Sequence, residues 1–113
     1  MSNEKLTVLW TSGERDVALK VVLRYVENVV NNQLWPSIDL LIWGPSVQLA
    51  ADDDNIKLQL ENMIAKGVKV KACIVCADEY GVNQMLDDIG VELTMVSDEL
   101  THIIQEQKPL LSL

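Results

Sequence analysis

Cys73 and Cys76 are the only thiols of the chain, and they fall within one stretch, Lys71-Ala72-Cys73-Ile74-Val75-Cys76-Ala77-Asp78. A thiol at the end of a strand and facing a helix N-terminus has its thiolate stabilised by the helix dipole. That lowers its pKa and makes it a nucleophile. Asp78 and Glu79 act the other way, because nearby carboxylates disfavour a thiolate. The commonest role of a buried cysteine is that of a small hydrophobe, and that reading stays open for both.

The C-x-x-C spacing also suits a dithiol that closes to a disulfide. Thioredoxin-like folds carry such a pair after their first strands, whereas here it lies near two-thirds of the chain. A structural zinc ion wants four N or S ligands, and the chain offers two cysteines and a single His102, so no metal site is expected. His102 reads as a solvated or capping residue. The turn Thr11-Ser12-Gly13-Glu14-Arg15-Asp16 is neither a P-loop nor a dinucleotide fingerprint, and no cofactor is expected. Asp52-Asp53-Asp54 fits a solvated helix start whose charges favour the dipole. The single His lacks a nucleophile motif around it, which excludes a Ser-His-Asp arrangement. Trp10 and Trp43 end strands of the same kind, where they wall a cleft or pack in a core or interface.

The elements that must position the cysteines alternate in type. Strands are predicted over residues 5–10, 38–43, 68–75 and 91–96, with a short last one over 110–113. Helices are predicted over 16–32, 54–66, 81–89 and 99–107, with a short turn over 47–51. Gly67 closes the second long helix, Gly90 stops the third, and Ser97 or Asp98 caps the last. Pro109 forbids its continuation. Alternating strands and helices predict an α/β domain with a mainly parallel sheet of about five strands. Ligands of such sheets bind outside the carboxyl ends of the strands, where the segments 11–15, 44–46, 73–80 and 97–98 lie.

The predicted first helix has one narrow polar stripe, Asp16, Lys20, Arg24, Glu27 and Asn31. Val17, Leu19, Val21, Val22, Leu23, Val26, Val29 and Val30 make it apolar over most of its circumference. A helix on one sheet needs an apolar arc of only about 100°, so a neighbouring helix or a second subunit is expected to cover the rest. This favours a homo-oligomer.

Composition excludes several classes. The 113 residues suit a single domain, residues 1–113. Val, Ile and Leu make up 38 of them, enough for a packed core without staples. The longest apolar runs, such as Leu40-Leu41-Ile42-Trp43, are far short of a membrane span. Met1-Ser2-Asn3-Glu4-Lys5 lacks the pattern of a signal peptide. With 9 Lys and Arg against 17 Asp and Glu, the formal charge is −8, which argues against nucleic acid as a partner. Two cysteines in such a chain suggest reduced thiols in the cytoplasm.

Three stretches carry a family likeness. Ala65-Lys66-Gly67-Val68-Lys69-Val70-Lys71-Ala72-Cys73 resembles the helix-Gly-strand-Cys passage of the DsrE/DsrF/TusD-like proteins, also called DsrE-like or YchN-like. CIVCADEYG, Cys73 to Gly81, resembles their cysteine loop. Gln107-Lys108-Pro109-Leu110-Leu111-Ser112-Leu113 resembles their short closing strand. The resemblance implies a three-layer flavodoxin-like fold and cytoplasmic homotrimers or homohexamers. In sulfur-relay members the loop cysteine carries sulfur as a persulfide between a donor and an acceptor protein, a sulfurtransferase-type role that falls by position on Cys73. Relay members tend to have small residues and then arginine before the glycine, where this chain has Cys76-Ala77-Asp78-Glu79-Tyr80. The expected function is therefore a sulfur carrier on Cys73 with Cys76 as a resolving or second thiol. The alternatives are an oligomeric binding or interaction protein with structural cysteines, and a C-x-x-C dithiol redox protein.

Overall fold

The computed structural model describes residues 4–113. Five strands form one all-parallel sheet in the order β4-β3-β2-β1-β5. They are β1 (Lys5–Trp10), β2 (Ser37–Ile42), β3 (Lys69–Cys73), β4 (Glu92–Thr94) and β5 (Leu110–Ser112). The first connection runs from α1 (Arg15–Val17) through a π-helical turn (Ala18–Val22) into α2 (Leu23–Asn31). The next holds α3 (Pro45–Asp52) and α4 (Asp54–Ala65). The third holds α5 (Ile74–Tyr80) and α6 (Asn83–Asp88), and the last holds α7 (Val96–Gln105). This is the expected three-layer α/β architecture, and among the described residues no helix is long and apolar enough to cross a membrane.

Strand order decides which helices share a face. Parallel crossovers are right-handed, so stepping from β1 to β4 in one direction puts every helix up to α6 on one side. The return from β4 to β5 puts α7 on the other. Side chains alternate along each strand accordingly. Leu6, Val8, Trp10, Ile38, Leu40, Ile42, Val70 and Ala72 join Val22, Val26, Ile56, Leu60 and Leu86 in the main core. Leu41 and Cys73 point the other way and are covered by Val96 and Leu100 of α7.

Several boundaries differ from expectation. The predicted strand 68–75 stops at Cys73, and Ile74 and Val75 open α5. Both are β-branched, but Ala77 fixes the helix by packing into the main core. The helix expected over 81–89 is α6, Asn83–Asp88, while α5 before it was not expected and ends at Gly81, which takes the left-handed conformation (φ 68°). The last helix begins earlier than predicted. Val96 is its first residue and core anchor, Met95 is its N-cap, and neither Ser97 nor Asp98 caps it.

The surplus apolar arc of the first helix is largely taken up within the chain. Val17, Leu19, Tyr25 and Val30 pack against the main core, which leaves Val21, at 46% exposed, as the one bare side chain of that arc.

The acidic triplet is a helix start, as expected. Asp53 caps α4, its Oδ1 accepting from the Ile56 N–H at 3.0 Å while Oδ2 accepts from Arg15 Nε at 2.6 Å. The Arg15 hydrogen bond and then the Ile56 N–H hold the Asp53 carboxyl below its ordinary range. Asp53→Ala is expected to cost about 1 kcal/mol in urea unfolding, nearly all of it from the cap, since Arg15 is largely solvated. A lowered folded pKa adds stability above the unfolded carboxyl range. The wild-type advantage over the variant therefore disappears as pH falls through the folded value.

Candidate functional site

In an open parallel sheet the crevice opens where neighbouring strands send their connections to opposite faces. Here that point lies between β3, which runs into α5, and β4, which runs into α7. Cys73 is the last residue of β3 and the N-cap of α5, and Cys76 is the third residue of that helix. Both predicted residues therefore stand at the switch point, together.

They differ in environment. Cys73 is 5% exposed and packs with Leu41, Val96 and Leu100. Cys76 is half-buried and touches both cores. The two cysteines share the first turn of α5, one as its N-cap and one as its third residue, and the Gly44 backbone lies near Cys76. Burial pushes the Cys76 thiol above its ordinary value; Cys73 and Glu79 add to that, and only the Gly44 N–H opposes it. The sequence suggested the penalty from a nearby carboxylate. It gave no sign of Gly44.

Gly44 comes from the neighbouring strand. It follows β2 and caps α3 with φ 75° and ψ −140°, a combination that needs glycine. Ser46 locks this turn to the end of β1. Its buried hydroxyl donates to the Trp10 carbonyl at 2.6 Å and accepts from the Trp43 N–H at 3.1 Å. Trp10 is wholly buried, with Nε1 donating to the Ser12 carbonyl at 2.9 Å. Trp43 is half-buried beside the Leu41–Cys73 cluster. The two tryptophans thus part company, one in the core and one at the rim.

Other predicted features stay apart from the thiols. His102 is exposed on α7, with Nε2 3.2 Å from Glu106. A recess of about 400 Å³ lies under α7 on the α7-covered sheet face, lined by Lys5, Thr7, Asp39, Lys71, Glu99 and His102. Its ammonium groups are already paired, Lys5 with Asp39 at 3.0 Å and Lys71 with Glu99 at 3.1 Å. Among the described residues, no three His, Cys, Asp or Glu side chains converge as metal ligands would.

The model of the DsrE/DsrF-like family matches residues 18–112, from the first helix to the closing strand. The chain belongs to the DsrE/DsrF-like family. A conserved protein of unknown function from Bacteroides thetaiotaomicron has the same fold at 30% identity, with a TM-score of 0.94, over 100% of this chain and 98% of its own. The Escherichia coli YchN protein superimposes at 21% identity and a TM-score of 0.77, over 97% and 99% of the two chains. A protein of unknown function from Methanobacterium thermoautotrophicum does so at 14% and 0.81, over 96% and 98%. No curated protein gives a significant sequence match. In this DsrE-like chain, Cys73 and Cys76 stand at the β3–α5 junction.

Proposed function

We propose that this protein is a sulfur carrier whose site is the Cys73–Cys76 pair, with Cys73 holding the sulfur as a persulfide for transfer to a partner protein. The observation that carries the reading is a pair of adjacent thiols at the switch point of a DsrE-like sheet, one sealed and one open. A persulfide on a sealed thiol is protected from stray thiols of the cytoplasm, and that protection is what a carrier needs. In the reaction a thiolate attacks the sulfane sulfur of a donor persulfide, and the donor leaves as its thiol. The later handover repeats the exchange with an acceptor thiol. Val75 and Met95, exposed at the carboxyl end of the sheet, give donor and acceptor proteins an apolar rim to dock on.

The same reading has the chain assemble with copies of itself as a homotrimer or homohexamer. It is supported by the sheet face that α7 alone covers, where Leu9, Trp43 and Leu110 remain half-buried. Native mass spectrometry after exposure to a sulfane-sulfur donor and a rinse in a small thiol tests both parts. The wild type is expected to keep one sulfur atom per chain, released by strong reductant, in an oligomer. Cys73→Ala is expected to keep none. Equal retention by that variant removes Cys73 from the role, and a monomer of 12.7 kDa at micromolar concentration removes the assembly.

A further inference from the structure

The difference in exposure between the two thiols sets an order of events, which rests on the carrier reading above. We propose that Cys76 receives the sulfur from the donor and passes it inward to Cys73. Exchange at sulfur needs the attacking, central and leaving sulfurs in one line. Val96 and Leu100 of α7 and Leu41 of β2 pack around Cys73, leaving a donor persulfide no straight approach to it. Cys76 has an open side, which admits the donor persulfide and lets its thiol leave.

Distance permits the second step. An N-cap side chain lies against the first turn of its helix, within reach of the third residue, and in α5 these are Cys73 and Cys76. A persulfide extends that reach by an S–S bond of about 2 Å. In the first step the Cys76 thiolate forms a bond to the terminal sulfur of R–S–S–H. The donor's S–S bond breaks and R–S⁻ leaves. In the second, the Cys73 thiol gives up its proton and its sulfur attacks the outer sulfur of Cys76–S–S–H. Cys73–S–S–H forms, and Cys76 departs as a thiolate that takes up that proton. The transferred sulfur keeps its oxidation state throughout, so no reductant or oxidant is consumed.

The competing attack, on the inner sulfur, would instead give a Cys73–Cys76 disulfide and free sulfide.

Rapid-quench alkylation with peptide mass mapping, using a low-molecular-weight alkyl persulfide as donor, separates these cases. The expected wild-type record is sulfur on Cys76 at early times and on Cys73 later. Cys76→Ser and Cys76→Ala should load Cys73 at least tenfold more slowly, and in Cys73→Ala the sulfur should appear on Cys76 and go no further. Loading of Cys73 at the wild-type rate in both Cys76 variants overturns the proposal and leaves the carrier standing. A wild-type product with the Cys73–Cys76 disulfide and one sulfide released overturns the proposal and the carrier reading with it. No sulfur on either thiol of the wild type overturns both readings.

Discussion

Iodoacetamide added to the native protein is expected to alkylate Cys76 about a hundredfold faster than Cys73, and to do so faster as the pH rises. The ratio follows from burial. Cys76 reacts from the folded state, whereas Cys73, at 5% exposure beneath Val96 and Leu100, reacts only when α7 lifts or the chain opens. The pH dependence follows from the raised Cys76 thiol. With a pKa above the ordinary value the thiolate is a minority species at neutrality, so the rate climbs about tenfold per pH unit between roughly pH 6 and 8. A plateau in that range would mean that the Gly44 N–H outweighs burial, and preferential labelling of Cys73 would mean that α7 does not seal it. Leu100→Ala gives the independent check. Trimming the seal should raise the Cys73 rate at least tenfold and leave the pH profile of Cys76 in place.

The sealed thiol bears on the rival in which both cysteines are structural. That rival fits Cys73 taken alone, since its neighbours are apolar and the cluster would accept a small hydrophobe. It does not account for Cys76, a half-buried thiol beside a second one and beside a backbone N–H supplied by a glycine in a strained turn. Strain of that kind is held in place by its surroundings, here by Ser46 bridging Trp10 and Trp43.

The framework of this site was legible in the residues, and its finish was not. Alternation at Lys69, Val70 and Lys71 located β3 and set both cysteines near its carboxyl end, though the strand stops at Cys73, two residues short of the 75 expected. Ile74 and Val75 read as more strand, because an apolar β-branched pair has no period of its own. Only packing of Ala77 into the main core turns them into helix. The proximity of Gly44 to Cys76 depends on β2 lying next to β3, and strand order is a property of the whole sheet rather than of any window of residues. The seal over Cys73 is remote in the same way. Val96 read as the end of a strand, yet the β4–α7 connection crosses to the opposite face and makes it the first turn of a lid. The apolar first helix read as needing a neighbouring helix or a second subunit over its surplus arc, and Val17, Leu19, Tyr25 and Val30 pack against the main core within the chain.

Trp10→Ala is expected to bring the largest loss of stability of any single change near the site. Trp10 is the largest of the fully buried side chains, and its indole N–H is satisfied by the Ser12 carbonyl at 2.9 Å. Truncating a buried Trp costs about 3–5 kcal/mol, a large share of the roughly 5–15 kcal/mol that holds a domain of this size together. At about 4 °C per kcal/mol the melting temperature should fall by roughly 12–20 °C. The backbone ties at the end of β1 do not depend on the indole: the Trp10 carbonyl still accepts from Ser46 Oγ and from the Trp43 N–H. At temperatures well below its melting point, the variant should therefore keep the wild-type alkylation rate at Cys76. Cys73 should become more reactive in it, because labelling through global opening rises with the unfolded fraction. Trp43→Ala is the contrast, since that half-buried indole lies at the rim and its loss should cost well under half as much. A loss below about 2 kcal/mol for Trp10→Ala would mean that the cavity collapses and that the β1 end is not the rigid post on which Gly44, and through it Cys76, is mounted.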